Sequence, residues 1–359
     1  MMRLTWLQFR LQAAAALAGL AVVALLVALT GPPLAHVYAT VVAPCLARAP
    51  GACGPTVAAF VGRDALLQRA LNAALLAAPA LLGVFWGAPL VARELERGTF
   101  RLAWTQSVSR RRWLAVKLGV VGLASAAAAG LLSLMGTWWF GPLDRVHANR
   151  FDPAVFDVRG VVPVGYALFA FALGVTAGVL LPRLLPAMAT TLALFVGARL
   201  AVTTWIRPHL MAPVRHELAF VWGPGAGIAQ GGGGSPFFVS PPTPDLPNAW
   251  VYANAVVDQA GHPPSSQFLQ RTCPALTVGA GDAGSAVGSG HAVASPGAEP
   301  TAQEVHACVS AIAAQFHQVV TYQPAGRYWT FQGLETALYV ALALLLAWLC
   351  FWWVRRRVA

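Results

Sequence analysis

The segment from Arg93 to Lys117 concentrates the side chains that could make polar contacts or do chemistry. It carries six arginines, one lysine and two glutamates between two long apolar stretches, in a chain where only 10% of the residues are charged. Such a density of charge beside a membrane span is typical of the cytoplasmic side. The segment also offers a surface on which a soluble partner could dock.

Sequence signatures of catalysis and metal binding are absent. The only lysine, Lys117, has no glycine run before it, so there is no G-x-x-x-x-G-K-[ST] phosphate loop. No H-E-x-x-H, C-x-x-C or G-x-S-x-G motif occurs, and no two of the eight histidines have a recognised ligand spacing. We therefore expect no catalytic site, no metal site and no cofactor bound by this chain.

The elements that must position the charged segment are membrane helices. With 57% hydrophobic residues, the chain cannot be an ordinary soluble domain. Runs of roughly 18 or more largely apolar residues predict an all-α polytopic membrane protein with six transmembrane helices, the fifth of which contains Arg199. The predicted helices cover 13–30, 71–92, 114–138, 161–181, 186–206 and 334–354.

The connections between these helices differ greatly in size. A short amphipathic stretch, 1–12, predicts an interfacial helix or a plain cytoplasmic tail. The other cytoplasmic pieces are the segment 93–113 and the tail 355–359, whereas 31–70, 139–160 and the large, partly irregular domain 207–333 are extracellular. Within that domain, glycine-rich tracts read as linkers, and a strand at Ala249–Val257 and a helix at Ala302–Val320 are expected.

The distribution of basic residues fixes this orientation. Counted over 1–12, 93–117, 182–185 and 355–359, the predicted cytoplasmic side holds thirteen cations in fewer than fifty residues, and the much longer outside pieces hold ten. That contrast follows the positive-inside rule and places both termini in the cytoplasm of a multi-pass cell-membrane protein. The net charge of +11 therefore belongs to membrane topology, and a nucleic-acid partner is not expected.

Four cysteines fall in the predicted outside loops, where disulfides persist. Three connectivities are open to them. We expect Cys45–Cys53 and Cys273–Cys308, because each pair lies within one loop.

Arg199 is the one clearly intramembrane charge. Its insertion costs about 2.5–3.5 kcal/mol or more unless the guanidinium is paired or hydrated. Glu335, at the outer end of the last helix, is the only acidic residue that the predicted spans place for pairing with it. Structural pairing and the lining of a transport path are both open.

Two motifs resemble the type-2 ATP-binding-cassette (ABC) permeases of actinobacteria. Phe85–Lys117 resembles that family's segment with a Glu-x-Glu-x-Gly-Thr motif followed by an arginine-rich Trp-Thr-Gln stretch. Thr321–Glu335 resembles its approach to the last span, Tyr-Gln-Pro…Arg-Tyr-Trp…Gln…Glu. The six helices and the large loop before the last one also match, whereas the interior of that loop is far less diagnostic.

The resemblance implies a permease subunit that receives its energy from elsewhere. In the family, the segment between the second and third spans is a coupling helix that docks on the ATPase. The implied partners are two copies of an ATP-binding subunit, which would hold ATP and magnesium, and a second permease half, identical or different. The implied coupling residues are Glu94, Glu96, Arg97, Gly98, Thr99, Arg101, Trp104, Thr105, Gln106, Arg110 and Arg112.

The resemblance also implies a function, which is transport. The family is mostly exporters, and a cavity lined by apolar side chains of the second and fifth spans would suit an amphipathic or lipid-like substrate. One alternative is a membrane-anchored sensor or envelope-interaction protein that acts through 207–333. Another is a polytopic enzyme with chemistry on its outer face, against which stands the absence of any nucleophile–base or metal spacing.

Overall fold

The computed structural model describes residues 2–97, 110–146, 149–181, 183–223, 225–230, 236–244, 246–277 and 301–356. The chain divides into two compact units. Unit 1 comprises Met1–Met211 and Gly326–Ala359, and unit 2 comprises Ala212–Ala325.

Unit 1 is helical. Its helices in chain order are α1 (Met2–Val37), α2 (Ala43–Arg48), α3 (Gly54–Arg63), α4 (Ala65–Leu82), α5 (Ala88–Arg97), α6 (Arg110–Asp144), α7 (Pro153–Phe156), α8 (Val162–Leu180), α9 (Leu184–Ala201) and, after unit 2, α13 (Tyr328–Arg356). Single π-helical turns, Tyr38–Val42, Gly83–Gly87 and Val202–Ile206, continue α1, α4 and α9. Short 3-10 turns cover Pro50–Ala52, Arg207–His209 and Ala325–Arg327.

Six helical stretches in the described part of the chain are long and apolar enough to cross a membrane. They are Phe9–Arg48, Ala65–Glu94, Arg111–Asp144, Val162–Leu180, Leu184–His209 and Ala325–Arg356. The chain is thus a multi-pass membrane protein. Most of these stretches run longer than the sequence predicts, because the helices continue through prolines and charged residues at their ends.

The first span shows this difference most clearly. The predicted interfacial segment 1–12 is the beginning of α1, and α1 passes through Pro32 and Pro33 into the predicted loop 31–70. Prolines are tolerated in membrane helices because neighbouring groups satisfy the freed carbonyls. The first turns of α1 pack against the second span, where Phe9 is buried and meets Trp86 edge to face at 4.7 Å between ring centroids.

Helix α8 is the central element of unit 1. It packs against α4, α5, α6, α9 and α13, and nearly all of its residues are buried. Its closest partner is the second span. A Cβ at Gly174 would lie within 2.7 Å of the backbone nitrogen of Ala88, and one at Gly178 within 2.6 Å of the Ala88 carbonyl oxygen. Small residues at this spacing allow two membrane helices to approach backbone to backbone.

Unit 2 mixes strands and helices. A three-stranded antiparallel sheet has the order β1-β5-β4, and β2 pairs with β3. The strands are β1 (Val214–Ala219), β2 (Gly227–Gln230), β3 (Phe237–Ser240), β4 (Trp250–Val257) and β5 (His317–Gln323), and the helices are α10 (Ser266–Thr272), α11 (Pro274–Thr277) and α12 (Ala302–Gln315).

The prediction of an all-α fold is therefore wrong for unit 2. Strand β4 lies where a strand was expected, and α12 starts where a helix was expected. The helix ends at Gln315, however, and the next residues form β5, whose Val-Val-Thr-Tyr run favours a strand. Buried Phe220, Leu269 and Ile312 give the unit its own apolar core.

Candidate functional site

Five polar side chains meet at the end of unit 1 where α8 and α13 begin and the fifth span ends. We call this group the buried charge cluster. Its members are Asp157, Tyr166, Arg199, Arg207 and Glu335. Asp157 follows α7, Tyr166 lies in the first turns of α8, Arg207 follows the π-helical turn after α9, and Glu335 lies in the first turns of α13.

Arg207 is the centre of the cluster. Its Nε donates to Glu335 Oε2 at 2.7 Å and its Nη2 to Glu335 Oε1 at 2.9 Å, a two-point contact that fits the planar guanidinium. The same Nη2 also donates to Asp157 Oδ1. The Arg207 side chain is 1% exposed and the Glu335 side chain 0%, so the whole contact lies inside the protein.

Arg199 joins the cluster from the fifth span. Its Nη2 donates to Asp157 Oδ2 at 2.6 Å, and its Cζ lies 3.5 Å from the centre of the Tyr166 ring. The expected pairing of Arg199 with Glu335 is therefore wrong, since Asp157 is the partner of Arg199 and Glu335 binds Arg207. The sequence had placed Asp157 in the loop 139–160 and so outside the reach of a span.

The π-helical turn Val202–Ile206 explains how both arginines reach one carboxylate. Eight residues of α-helix turn through two full circles and about 80° more, which would put Arg199 and Arg207 on different faces. A π turn takes one more residue than an α turn, so here eight residues complete roughly two turns. Both guanidinium groups then point towards Asp157.

Tyr166 and Gln332 complete the surroundings. The Tyr166 hydroxyl lies 2.5 Å from Glu335 Oε1 and 3.2 Å from Asp157 Oδ1. Gln332 Oε1 accepts hydrogen bonds from the backbone N–H groups of Val161 and Val162 at 3.1 and 3.0 Å, which satisfies donors at the start of α8. These contacts tie α8 to α13.

The cluster is a set of buried ion pairs in which positive and negative charges balance. Two guanidinium groups face two carboxylates, and every charge is directly paired within unit 1. Among the described residues, no group of three or more His, Cys, Asp or Glu could hold a metal ion.

A second polar site lies at the other end of α8, where α5 ends and α6 and α9 begin. Lys117 Nζ donates to Glu94 Oε1 at 2.5 Å and to the Leu90 carbonyl oxygen at 3.4 Å. The side chain of Lys117 is 3% exposed and that of Glu94 15%. Glu96 is exposed, and its Oε2 accepts from the backbone N–H of Leu184, the first residue of α9, at 3.3 Å.

The sequence-predicted coupling residues are divided by what the structure describes. Glu94, Glu96 and Arg97 lie in α5, and Arg110 and Arg112 lie in the first turn of α6. The remaining ones lie outside the described residues: Gly98, Thr99, Arg101, Trp104, Thr105 and Gln106.

The predicted cysteines form two bonds in the structure, Cys45–Cys53 and Cys273–Cys308. The first joins α2 to the start of α3, and the second joins the end of α10 to α12.

Sequence reasoning missed Asp157, Tyr166, Arg207 and the role of Lys117. The available signal was the position of Asp157 and Arg207 just beyond the ends of apolar runs, where longer helices bring charges together. For Lys117, the signal was a lone cation several residues inside the third apolar run, with Glu94 at the end of the second.

Comparison with known proteins gives one result. The family described as ABC-2 membrane transporter related matches residues 17–207, which is just over half of the 359 residues. No curated protein and no solved structure gives a significant match to the chain. The matched range contains the second polar site and most of the buried charge cluster.

Proposed function

The chain belongs to the ABC-2 membrane transporter related family, and on that premise we propose that it is the permease subunit of an exporter of amphipathic or lipid-like molecules. In this proposal a separate ATP-binding subunit, present in two copies, binds ATP and magnesium and drives transport. A second permease half, identical or different, completes the pathway. The observation that carries the proposal is the family match across the first five candidate spans.

The charged connection between α5 and α6 is the proposed docking site for the ATP-binding subunit. The sequence contains no phosphate loop of its own, so an ATP-driven permease needs a partner. Arg93, Glu96 and Arg111 flank the connection and are exposed. In this proposal they contact the partner, and contacts that differ between two states of the ATPase shift the permease between its own states.

The proposed orientation puts both termini and this connection in the cytoplasm of a cell-membrane protein. Its support is the density of arginines near the connection and the tail, compared with the loops on the other side. The two disulfides are consistent with an oxidising compartment for the loop 31–70 and for unit 2.

The proposed substrate class rests on the surfaces of the spans. The fifth span exposes Leu192, Leu194 and Trp205, and the second exposes Leu81 and Phe85. Apolar faces of this kind would bury the apolar part of an amphiphile between two permease halves. A polar sugar that stimulates the complex, where every amphiphile tested does not, would contradict this substrate class.

Co-purification tests the partnership directly. The chain is expressed with each ATP-binding ABC subunit of the organism that encodes it, purified in detergent, and assayed for the retained subunit and for ATP hydrolysis. Reversing the exposed charges Arg93, Glu96 and Arg111 together is expected to remove the subunit, whereas reversing Arg215 and Glu217, exposed in β1, is not. Retention of no ATP-binding subunit by the wild-type chain would contradict the proposed function.

A second candidate function is favoured by the independent core of unit 2. Its sheet, its helices and the Cys273–Cys308 bond form a folded body, which would suit an envelope-interaction or sensor protein. Replacing 212–325 by a short flexible linker separates the two. If ATP-coupled transport survives the replacement, the function resides in unit 1. If a bound envelope component is lost while ATP hydrolysis stays intact, the function resides in unit 2.

A further inference from the structure

The two glutamates at the end of α5 point in different directions. Glu94 faces inward and is the counter-ion of Lys117, whose ammonium group also lies 4.7 Å from the centre of the Trp113 ring. Glu96 is exposed. The motif that suggested a partner surface thus contains one carboxylate held in a largely buried ion pair, whereas the other is exposed and accepts a backbone hydrogen bond from Leu184.

Breaking the Glu94–Lys117 ion pair is energetically costly. A buried cation that loses its counter-ion pays its desolvation cost without compensation. Among the described residues, the other acceptor near Lys117 Nζ is the weaker, neutral carbonyl of Leu90 at 3.4 Å. An outside partner that took the Glu94 carboxylate would therefore deprive Lys117 of the counter-ion that the structure shows. Glu94 is therefore poorly suited to a partner contact that forms and breaks.

The position of the pair suits a mechanical role. Glu94 lies about one turn before the end of α5, and Lys117 lies about two turns after the start of α6. The pair therefore joins the end of α5 directly to α6. A displacement of the end of α5 is shared with α6 through this pair, and the hydrogen bond from Leu184 N–H to Glu96 adds the start of α9.

We propose that Glu94 and Lys117 are positioning residues that transmit movement of the end of α5 to α6, and that Glu94 does not contact the ATP-binding subunit. This inference rests on the proposed function, and it corrects the partner role implied for Glu94. The exposed charges bind the partner, and the Glu94–Lys117 pair converts binding into movement of the spans.

The test separates binding from coupling in the complete complex. Glu94→Gln, Lys117→Met and the double variant are compared with Glu217→Gln, the same chemical change at an exposed position of unit 2. Retained ATP-binding subunit, ATP hydrolysis and thermal unfolding are measured for each. We expect both single variants to keep the subunit and to lose coupled ATP hydrolysis, roughly tenfold, within the range of mutations along a coupling network.

The double variant decides whether the two residues act as a pair. Since it leaves no unpaired buried charge, its unfolding temperature should lie closer to wild type than that of either single variant, so it guards against loss of function by misfolding. The inference is overturned if Glu94→Gln loses the ATP-binding subunit that wild type retains. It is also overturned if the effects of the two single changes on unfolding and on coupled ATP hydrolysis simply add in the double variant. A wild-type chain that retains no subunit overturns the proposed function, and the coupling role with it.

Discussion

The two charged sites of unit 1 lie at opposite ends of α8 and balance their charges differently. In the buried charge cluster, two arginines and two carboxylates pair with one another in the interior. At the other site, the Glu94–Lys117 pair is closed, whereas Arg93 and Glu96 on α5 and Arg111 on α6 are exposed. A site whose charges are satisfied internally holds helices together, whereas a site with exposed charges beside a closed pair can also receive a partner.

The largest effect is expected from removing the centre of the buried charge cluster. Arg207→Met leaves Asp157 and Glu335 buried with their main counter-ion gone, and breaking a buried pair in this way costs about 3–5 kcal/mol. Thermal unfolding of the purified chain in detergent measures the loss. Arg183→Met, an exposed arginine at the other end of the same span, is the control and should change stability by no more than about 0.5 kcal/mol. Equal effects of the two changes would show that the cluster does not stabilise the fold.

A medium loss of stability is expected where α8, which runs between the two sites, crosses the second span. Gly174→Ala would place a Cβ against the backbone of Gly83 and within 2.7 Å of the Ala88 nitrogen. Backbone atoms cannot rotate away, so the helices must separate, at a cost of about 1–3 kcal/mol. The matched change Gly197→Ala on α9 meets no atom of the described part of the chain within 4 Å.

Unfolding temperatures of these two glycine variants check the expectation. A Gly197→Ala variant as destabilised as Gly174→Ala would mean that the loss comes from the substitution itself and not from the crossing. If coupled ATP hydrolysis also falls for Gly174→Ala and not for Gly197→Ala, the crossing connects the end of α8 proposed to face the partner to the buried charge cluster.

The six apolar helices were predictable because length and composition alone decide whether a segment can cross a membrane. The buried charge cluster was not. Asp157 and Arg207 lie beyond the predicted spans, and the π-helical turn that aligns Arg199 with Arg207 leaves no mark in a pattern of period 3.6. A sequence that favours six helices therefore does not tell which charges at their ends meet.

The second site was predictable in part for a similar reason. Glu94 and Glu96 could be named from their motif, but only the rotation of α5 and α6 about their axes shows that Glu94 meets Lys117 and that Glu96 is exposed. In unit 2, the sequence of Trp250–Val257 favours a strand. Strand β1 contains Arg215, His216 and Glu217, so its sequence does not predict a strand, and its pairing with β5 is seen only in the structure.

The smallest stability effect is expected for Arg199→Met, which tests how far the cluster is a unit. The change removes the ion pair with Asp157, worth about 1.5–3 kcal/mol as a hydrogen bond between charged groups. It also removes a charge whose presence in a span costs about 2.5–3.5 kcal/mol. Because Asp157 keeps Arg207 as its partner, the two contributions nearly cancel, and stability should stay within about 1 kcal/mol of wild type.

The contrast between Arg199 and Arg207 then separates structural pairing from a transport role. The Arg199 side chain is 11% exposed, and its buried Nε has no acceptor among the described residues, so it is the less firmly held of the two arginines. Thermal unfolding and coupled ATP hydrolysis are measured for Arg199→Met and Arg199→Lys. Normal stability with lost ATP hydrolysis places Arg199 on the transport path. If both stability and ATP hydrolysis are normal, the ion pair of Arg199 is not needed for either. A stability loss as large as that of Arg207→Met would contradict the distinction, because the four charges would then stabilise the fold as one indivisible group.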